Sequence, residues 1–384
     1  MSTPVLSSPN RWRGWFSRHV LLLSIVFLVP AFLLTRWLVA AYDAYDLGVA
    51  AEWYQQGERD LRGGRLTEAV DDYRAALAHA RENRGYRLRL AQALERAGAL
   101  DAASADLRRL WEGDPSNSVV NLELARVSRR QGGFTDAVRY YNNAIYGVWP
   151  GDAAARRRDT QLELIDYLLA NHRNADALAG LIALAADLPP DAGLRMAVGT
   201  RMLKAGAEQE ALQEFRQAAT LDPQSASALS AAGSLALRLG QFADAERDLG
   251  LAVRAGDESP ATAKQLSLAR AVLDLDPFAP RLGSAQRVRR VRDAFDLATA
   301  SFGRCVAAMP PGEGAVQDAA AALHARLADA AKPLRGREAA DADLQQDTMD
   351  LVFDIEEFVA SHCALVSGND EALLALGRSR RGQR

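Results

Sequence analysis

The sequence predicts an all-α protein: a single N-terminal transmembrane helix, then a solenoid of helical hairpins, then a C-terminal helical domain. Three observations lead to this fold class. Alanine and leucine dominate while aromatic residues make up only 7% of the chain, a long uncharged segment lies near the N-terminus, and a pattern with a 34-residue period follows it. With 49% apolar and 25% charged residues the chain is globular, and its net charge of −3 gives no overall attraction to nucleic acid.

The first element is the membrane segment. Residues 20–35 carry no charge, Arg36 interrupts the run, and residues 37–41 continue it. A helix over residues 20–41 is about 33 Å long, enough for the roughly 30 Å hydrocarbon core of a bilayer. Arg36 lies near one end, where its side chain can reach the headgroups. We therefore expect a transmembrane helix at residues 20–41 and a lipid bilayer as one partner.

The flanking charges predict the orientation of this helix. Basic residues lie before it and acidic residues after it: Arg11, Arg13 and Arg18, then Asp43, Asp46 and Glu52. The positive-inside rule places residues 1–19 in the cytoplasm and the bulk of the chain in the periplasm of a bacterial inner membrane. The alternative is a cleaved signal peptide, since residues 39–41 resemble a cleavage site. The length of the apolar core and the position of Arg36 favour a retained anchor.

The repeat follows the anchor and is visible in four series of residues. An alanine opens each second helix at steps of 34, 34, 40, 34 and 34 residues: Ala69, Ala103, Ala137, Ala177, Ala211 and Ala245. A large residue stands four positions later: Tyr73, Leu107, Tyr141, Leu181, Phe215 and Leu249. Twelve positions before the alanine the residue is small except in the fourth unit: Gly57, Ala91, Ala125, Ile165, Gly199 and Gly233. Five positions before it stands a turn residue: Gly64, Gly98, Gly132, His172, Gly206 and Gly240.

This plan predicts stacked antiparallel helix pairs. Small residues let the two helices approach, large residues fill the space between hairpins, and glycine permits the left-handed turn that ends each first helix. The pattern resembles the tetratricopeptide repeat family and covers residues 50–277 as about six repeats with a capping helix. The resemblance implies a groove lined by the first helices that binds a protein or peptide partner. Six extra residues and Ile165 in the fourth unit predict a local bend or a looser interface there.

The last part of the chain loses the period. Residues 278–384 predict a small helical domain on the end of the solenoid, with helices at about 284–309, 315–331 and 338–364 and a short fourth helix capped near Asn369. Residues 309–314 are expected to break the first of these helices, and residues 378–384 are expected to fray. The only two cysteines, Cys305 and Cys363, lie near the ends of two of these helices. In an oxidising periplasm they are expected to form a disulfide, whereas in the cytoplasm they would be free thiols.

One feature suggests a binding groove. Five cations stand seven positions before the repeat alanines, at the end of each first helix: Arg62, Arg96, Arg130, Lys204 and Arg238. A column of them facing the groove would favour a ligand with carboxylates. The alternative is that each cation complements the dipole of its own helix.

No catalytic or cofactor motif is present in the sequence. The five histidines lack metal-ligand spacing, and two cysteines cannot build a four-ligand zinc site. A carboxylate stripe of Asp350, Asp354 and Glu357 is interpreted as a solvated helix face. The basic cluster at residues 287–292 is interpreted as soluble surface, with lipid contact as the alternative.

These features favour a membrane-anchored scaffold or adaptor that binds protein or peptide partners at the periplasmic face of the inner membrane. We expect it not to be an enzyme and to need no cofactor. Envelope assembly or protein quality control would be its setting. Two alternatives stay open. One is an envelope enzyme whose active site lies in the C-terminal domain, which a pair of converging acids or a Ser/His pair there would favour. The other is a cytoplasm-facing assembly regulator, against which the missing CxxC pairs speak.

Overall fold

The computed structural model describes residues 11–309, 314–363 and 368–382, and within them the regular structure is helical. Residues 310–313 of the expected break, residues 383 and 384 of the segment expected to fray, and the first ten residues of the basic N-terminus lie outside the described residues.

The first helix, α1 (Arg11–Arg62), is 52 residues long and contains Pro30. From Ile25 to Tyr45 its side chains are exposed, and it is the one helix of the described chain that is long and apolar enough to cross a membrane. It does not end where the apolar segment ends. Instead it continues without a break through Ala50, which is fully buried, and forms the first helix of the first repeat.

The repeats are antiparallel helix pairs, as predicted. Helix α1 pairs with α2 (Leu66–His79), and the next pairs are α3 (Arg84–Arg96) with α4 (Leu100–Gly113), α5 (Ser118–Arg130) with α6 (Phe134–Tyr146), α7 (Ala153–Ala170) with α8 (Asn174–Ala186), α9 (Ala192–Lys204) with α10 (Glu208–Leu221), and α11 (Ala226–Arg238) with α12 (Phe242–Arg254). Below, the first member of each pair is called the A helix and the second the B helix. The chain divides into two compact units, Met1–Leu164 and Ile165–Arg384, whose boundary falls inside α7.

Packing inside the pairs follows the predicted alternation of small and large residues. All six repeat alanines are fully buried. A Cβ atom on Gly57 would lie 2.9 Å from the ring of Tyr73, and one on Gly233 would lie 2.6 Å from Cγ of Leu249. Distances of that size are too short for carbon atoms, so only glycine allows the two helices to approach as closely as they do.

The turns between A and B helices adopt the expected left-handed conformation. Five of the six predicted turn residues are glycines with φ between 72° and 87°: Gly64, Gly98, Gly132, Gly206 and Gly240. In the fourth repeat His172 takes this place with φ of 57°. A side chain at such an angle costs free energy, which glycine avoids.

In the fourth repeat a large residue of the A helix faces a glycine of the B helix. Ile165 on the A helix is 2% exposed, and it packs against Gly180 of the B helix, where an added Cβ would lie 3.4 Å from the isoleucine side chain. Leu181, the large residue of this B helix, stays fully buried, and the glycine one position before it makes room for Ile165. At this contact the interface is filled rather than looser, while the A helix itself, with 18 residues, is longer than the 13 of α9.

The C-terminal unit continues beyond the repeats with α13 (Pro260–Leu275), α14 (Ser284–Ala308), α15 (Ala315–Arg335), a short 3₁₀ helix (Arg337–Ala340), α16 (Ala342–His362) and α17 (Gly368–Gly382). The predicted helices are therefore present, but the fourth is not short. Helices α14 to α17 share one apolar core, and Val272 of α13 is part of it.

The expectation of a frayed C-terminus is wrong for residues 378–382. Helix α17 extends to Gly382, its Leu373 is fully buried, and a Cβ on Gly377 would lie 2.8 Å from the ring of Phe353. Arg378 pairs with Glu357 at 3.0 Å. The basic residues of this segment, which suggested a solvated tail, instead form ion pairs with acids of α16 and with Asp276 at the end of α13.

Candidate functional site

The A helices carry a ladder of polar contacts that connects the first four repeats, and one further contact of the same kind connects the sixth repeat to α13. The residue eleven positions before one repeat alanine bonds to the residue fourteen positions before the next. In the first unit the contacts are Glu58 with Arg89 at 3.0 Å, Gln92 with Glu123 at 2.8 Å, and Arg126 with Glu163 at 2.8 Å. In the second unit Ser234 donates to Gln265 at 2.6 Å.

Two tyrosines of the B helices donate hydrogen bonds to glutamates of this ladder. The hydroxyl of Tyr73 donates to Glu58, and that of Tyr141 donates to Glu163, each at 2.8 Å. Burial raises the pKa of Tyr141, and the hydrogen bond to Glu163 adds to the effect. Burial by itself would raise the pKa of Glu163, but the hydrogen bonds from Arg126 and Tyr141 outweigh it and hold that pKa below its ordinary value.

The pKa of Glu123, in the neighbouring contact of the ladder, is shifted in the opposite direction. Burial raises the pKa of Glu123, although Arg126 and the hydrogen bond from Gln92 partly offset it. The A-helix face is thus polar and charged, yet many of its charges are already satisfied inside the protein. The sequence analysis missed the ladder, although its signal is present: polar partners recur 31 residues apart, or 37 across the six-residue insertion.

We expect the ladder to stabilise the first unit. Glu163→Ala removes the carboxylate that accepts hydrogen bonds from Arg126 and from the Tyr141 hydroxyl, and should lower the free energy of unfolding by about 2–3 kcal/mol, because a partly buried, charge-assisted contact is lost. All six tryptophans lie in the first unit, so tryptophan fluorescence during urea unfolding measures this effect. Asp136→Ala is the control, because its ion pair with Arg139 is exposed on both sides and should contribute less than about 0.5 kcal/mol. Equal effects of the two substitutions would contradict the role of the ladder.

The five predicted groove cations lie in the last turns of their A helices or just at their ends, but they do not share one environment. Arg62 donates to the carbonyl of Glu58 in its own helix at 3.1 Å. Arg130 binds both the carboxylate of Glu95, at 2.8 Å, and its carbonyl. The Arg62 contact lies within its own helix and favours the helix-dipole alternative, whereas Arg130 binds the end of the preceding A helix, α3.

The other three cations are more open to a ligand. Arg238 pairs with Glu208 at 3.0 Å through two exposed side chains. Arg96 and Lys204 are exposed, and no hydrogen bond or ion pair of theirs is found within the described part of the chain. Arg62, Arg96 and Arg130 belong to the first unit, Lys204 and Arg238 to the second. A role of these cations in ligand binding stays a prediction.

A half-open cavity of about 600 Å³ lies beside Arg238 in the second unit. Leu237 of α11, Leu268 of α13 and Leu374 of α17 form its apolar wall, and Arg378 stands at its rim. The C-terminal helix α17 therefore lies next to α11, the A helix of the last repeat. The cavity lies between these two helices and α13.

The carboxylate stripe and the basic cluster of the C-terminal helices have structural partners. Asp354 pairs with Arg326 at 2.8 Å and also with Arg381. In the basic cluster Arg290 donates to the carbonyls that end α13, and Arg292 donates to the carbonyl of Leu334 near the end of α15. The two arginines therefore complement the C-termini of α13 and α15. The sequence analysis did not identify this role.

Two acids do converge in the C-terminal helices. Glu356 is fully buried, Asp370 is 1% exposed, and Arg304 lies 3.7 Å from Asp370. Neither carboxylate oxygen of Glu356 has a hydrogen-bond partner among the described residues. Burial raises the pKa of Glu356 to about 8, Asp370 adds to the increase, and Arg304 opposes it. Since both acids are closed to solvent, a substrate has no access to them, and no group of metal-ligating side chains is found in the described residues.

The two cysteines are brought together in the C-terminal helices. A disulfide joins Cys305 of α14 to Cys363 at the end of α16, with an S–S distance of 1.97 Å and Cα atoms 5.7 Å apart. The Cα distance is typical of disulfides, so the backbone accommodates the bond.

No protein-family model and no curated protein matches this sequence. Among solved structures, YrrB, a TPR protein with an unusual peptide-binding site, is 19% identical, with 50% of this chain and 95% of that chain covered and a TM-score of 0.37. PilW, a type IV pilus biogenesis factor, is 16% identical over 57% of this chain and 97% of that one, with a TM-score of 0.38. A tetratricopeptide repeat protein from Parabacteroides merdae is 13% identical over 64% and 92%, with a TM-score of 0.39. On its own 34-residue period, helical hairpins and left-handed turns, this chain has the tetratricopeptide-repeat fold.

Proposed function

We propose that this protein is a membrane-anchored scaffold that binds protein or peptide partners at the periplasmic face of the bacterial inner membrane, in envelope assembly or protein quality control. The observation that carries the proposal is the continuity of α1. One helix contains both the apolar segment and the A helix of the first repeat. The repeats are thereby confined to the membrane surface, which raises the effective concentration of their binding face for partners there.

Two further observations support the periplasmic side. Three arginines precede the apolar segment, and the positive-inside rule assigns such a basic flank to the cytoplasm. The two cysteines are placed for a disulfide, which persists in an oxidising compartment. In this proposal residues 1–19 are cytoplasmic, 20–41 cross the membrane, 50–277 form the repeat array and 278–384 form a C-terminal domain that covers its last helices.

Partners are proposed to bind along the A helices, where Arg96 and Lys204 offer charges and the cavity beside Arg238 accepts an apolar side chain. Protein recognition requires neither a cofactor nor a catalytic group, and the buried acids of the C-terminal helices do not supply one.

The topology is tested with the full chain in bacteria. A periplasm-active reporter fused to the C-terminus should be active, and a cytoplasm-active one should be inactive. Thiol alkylation without reductant should leave Cys305 and Cys363 unmodified, and the chain should stay in the membrane pellet after a carbonate wash. A reporter active only in the cytoplasm would overturn the periplasmic placement, and release by carbonate would indicate a cleaved signal peptide.

The binding face is tested by capture of partners. Cross-linking in intact cells, followed by mass spectrometry, identifies what the wild-type chain holds. Replacing Arg96 and Lys204 by Gln should lower capture of an acidic partner about tenfold or more, because each charge-assisted hydrogen bond contributes about 1.5–3 kcal/mol. Arg74→Gln is the control, because this exposed arginine lies on a B helix and pairs with Asp71. Unchanged capture in the double variant would show that neither cation binds the partner. The alternative, that each one complements the dipole of its own helix, would then stand.

A further inference from the structure

The end of the first hairpin lies close to the end of the apolar segment. Helix α2 runs back along α1, and Nδ1 of His79, its last residue, is 3.2 Å from Oδ1 of Asp46. Asp46 follows Ala41, the last residue of the apolar segment, by five positions on the same continuous helix. Five residues of α-helix correspond to about 8 Å. The headgroup layer of one leaflet is roughly 5–8 Å thick, so the end of α2 reaches the height of the lipid headgroups.

The segment that follows α2 is rigidly built and basic. Arg81 and Arg84 are exposed, and Arg87 donates to the carbonyl of Arg81 at 2.8 Å. Asn83 accepts a hydrogen bond from the backbone of Tyr86 at 3.1 Å and so caps α3. Arg84 keeps its side chain near the end of α4 by donating to the carbonyl of Leu110 at 3.0 Å. These hydrogen bonds hold the backbone of the segment from which the side chains of Arg81 and Arg84 extend.

Acidic groups lie nearby. Asp46 is bonded to His79, and Asp106 lies 3.9 Å from Arg87. The hydrogen bond from Ser116 lowers the pKa of Asp114, and the charge of nearby Arg84 adds to this effect. Glu82 is exposed between the two arginines, and Asp43 lies on α1. Within the segment itself the exposed charged side chains are two arginines and one glutamate, and the two arginines can pair with lipid phosphates.

Helix α1 shows the side chains expected in a headgroup layer at the same height. Tyr42, Tyr45 and Leu47 are exposed by 66%, 69% and 56%. Exposed tyrosines just beyond an apolar span are typical of the membrane interface. Two neighbouring elements, α1 and the segment after α2, therefore present interfacial residues at one level.

We propose that the segment between α2 and α3 lies in the headgroup layer and that Arg81 and Arg84 bind lipid phosphate groups. This second contact, beside α1, fixes the tilt and rotation of the first repeat and so the direction in which the binding face of the A helices points. The inference rests on the proposed anchoring of α1 in the bilayer.

The test uses the full chain in lipid nanodiscs that contain phosphatidylglycerol. An environment-sensitive dye is attached through an unnatural amino acid at Glu82, and in a second sample at Ala99, in the turn at the opposite end of α3. Lipids with a spin label on the headgroup should quench the dye at position 82 at least threefold more strongly than the dye at position 99. The two positions are separated by the length of α3, about 20 Å.

The role of the arginines has its own readout. Native mass spectrometry of the chain released from nanodiscs measures retained phosphatidylglycerol. Arg81→Gln combined with Arg84→Gln should reduce retention about 20-fold, since each arginine near an anionic surface contributes about fivefold. Arg74→Gln combined with Arg139→Gln removes the same charge from the exposed faces of B helices and should leave retention unchanged.

Equal quenching at positions 82 and 99, or unchanged lipid retention in the Arg81/Arg84 variant, would overturn the proposal while the anchor itself stands. If the chain does not copurify with the nanodiscs at all, the anchoring fails, and this inference fails with it.

Discussion

The protein should become less stable as pH rises from about 5 to about 8, and Glu356→Gln should abolish this loss. The ordinary pKa of a glutamate is 4.5, whereas burial raises the pKa of Glu356 in the folded protein to about 8. The folded chain therefore holds a proton that the unfolded chain has already released. Its contribution to stability is complete below pH 4.5, decreases as pH rises, and is lost above pH 8.

The expected size of the effect is large. The difference between the two pKa values corresponds to about 5 kcal/mol above pH 8. Glutamine resembles the protonated acid and does not titrate, so the variant should exceed the wild type by about that amount at pH 9 and match it within about 1 kcal/mol at pH 4. Amide hydrogen exchange of α16 and α17, followed by mass spectrometry, measures the stability of this region directly.

The matched control is the next residue. Glu357 lies on the exposed side of α16, and the hydrogen bond from Arg378 holds its pKa below the ordinary value. Glu357→Gln should not stabilise the protein at any pH. If Glu356→Gln leaves the pH dependence of exchange unchanged, Glu356 does not carry the buried proton.

The second large effect is expected from Gly233→Ala. The new methyl group would lie 2.6 Å from Cγ and 2.8 Å from the backbone nitrogen of Leu249. A backbone atom cannot rotate away, so the two helices of the last repeat must separate. We expect a loss of about 2–3 kcal/mol in the free energy of unfolding, measured by circular dichroism or by hydrogen exchange of α11 and α12.

Gly303→Ala is the control for this substitution. Gly303 lies inside α14, and no atom lies within 4 Å of an added Cβ. Alanine in an open helical position should stabilise by about 0.5–1 kcal/mol, because glycine loses more backbone entropy on folding. If both substitutions destabilise equally, close helix packing is not the reason for the glycine at position 233.

The sequence predicted the repeats because their physics is local and periodic. The alanines, the large residues four positions later and the turn glycines recur at a fixed spacing, so each repeat confirms the others. His172 was identified as a turn residue from register alone, and its φ of 57° agrees. The ladder from Glu58 to Glu163 could have been found in the same way, since its partners also recur at a constant separation.

Compensation between residues was harder to predict. Ile165 by itself suggested a looser interface, because the small residue expected there is missing. Gly180, which accommodates it, stands fifteen residues later on the facing helix and belongs to no repeated series. One departure from a pattern can be interpreted only when its partner in space is known.

By itself, the sequence determined the all-α class, the apolar span, the period, the turns and the candidate cysteine pair, since all of these follow from composition or from spacing along the chain. Only the tertiary structure decided that α1 is continuous into the first repeat, that α17 packs beside the last A helix, and that Glu356 is buried next to Asp370. These features depend on contacts between segments far apart in the chain. Their free energy comes from desolvation and close packing, which a linear pattern does not record.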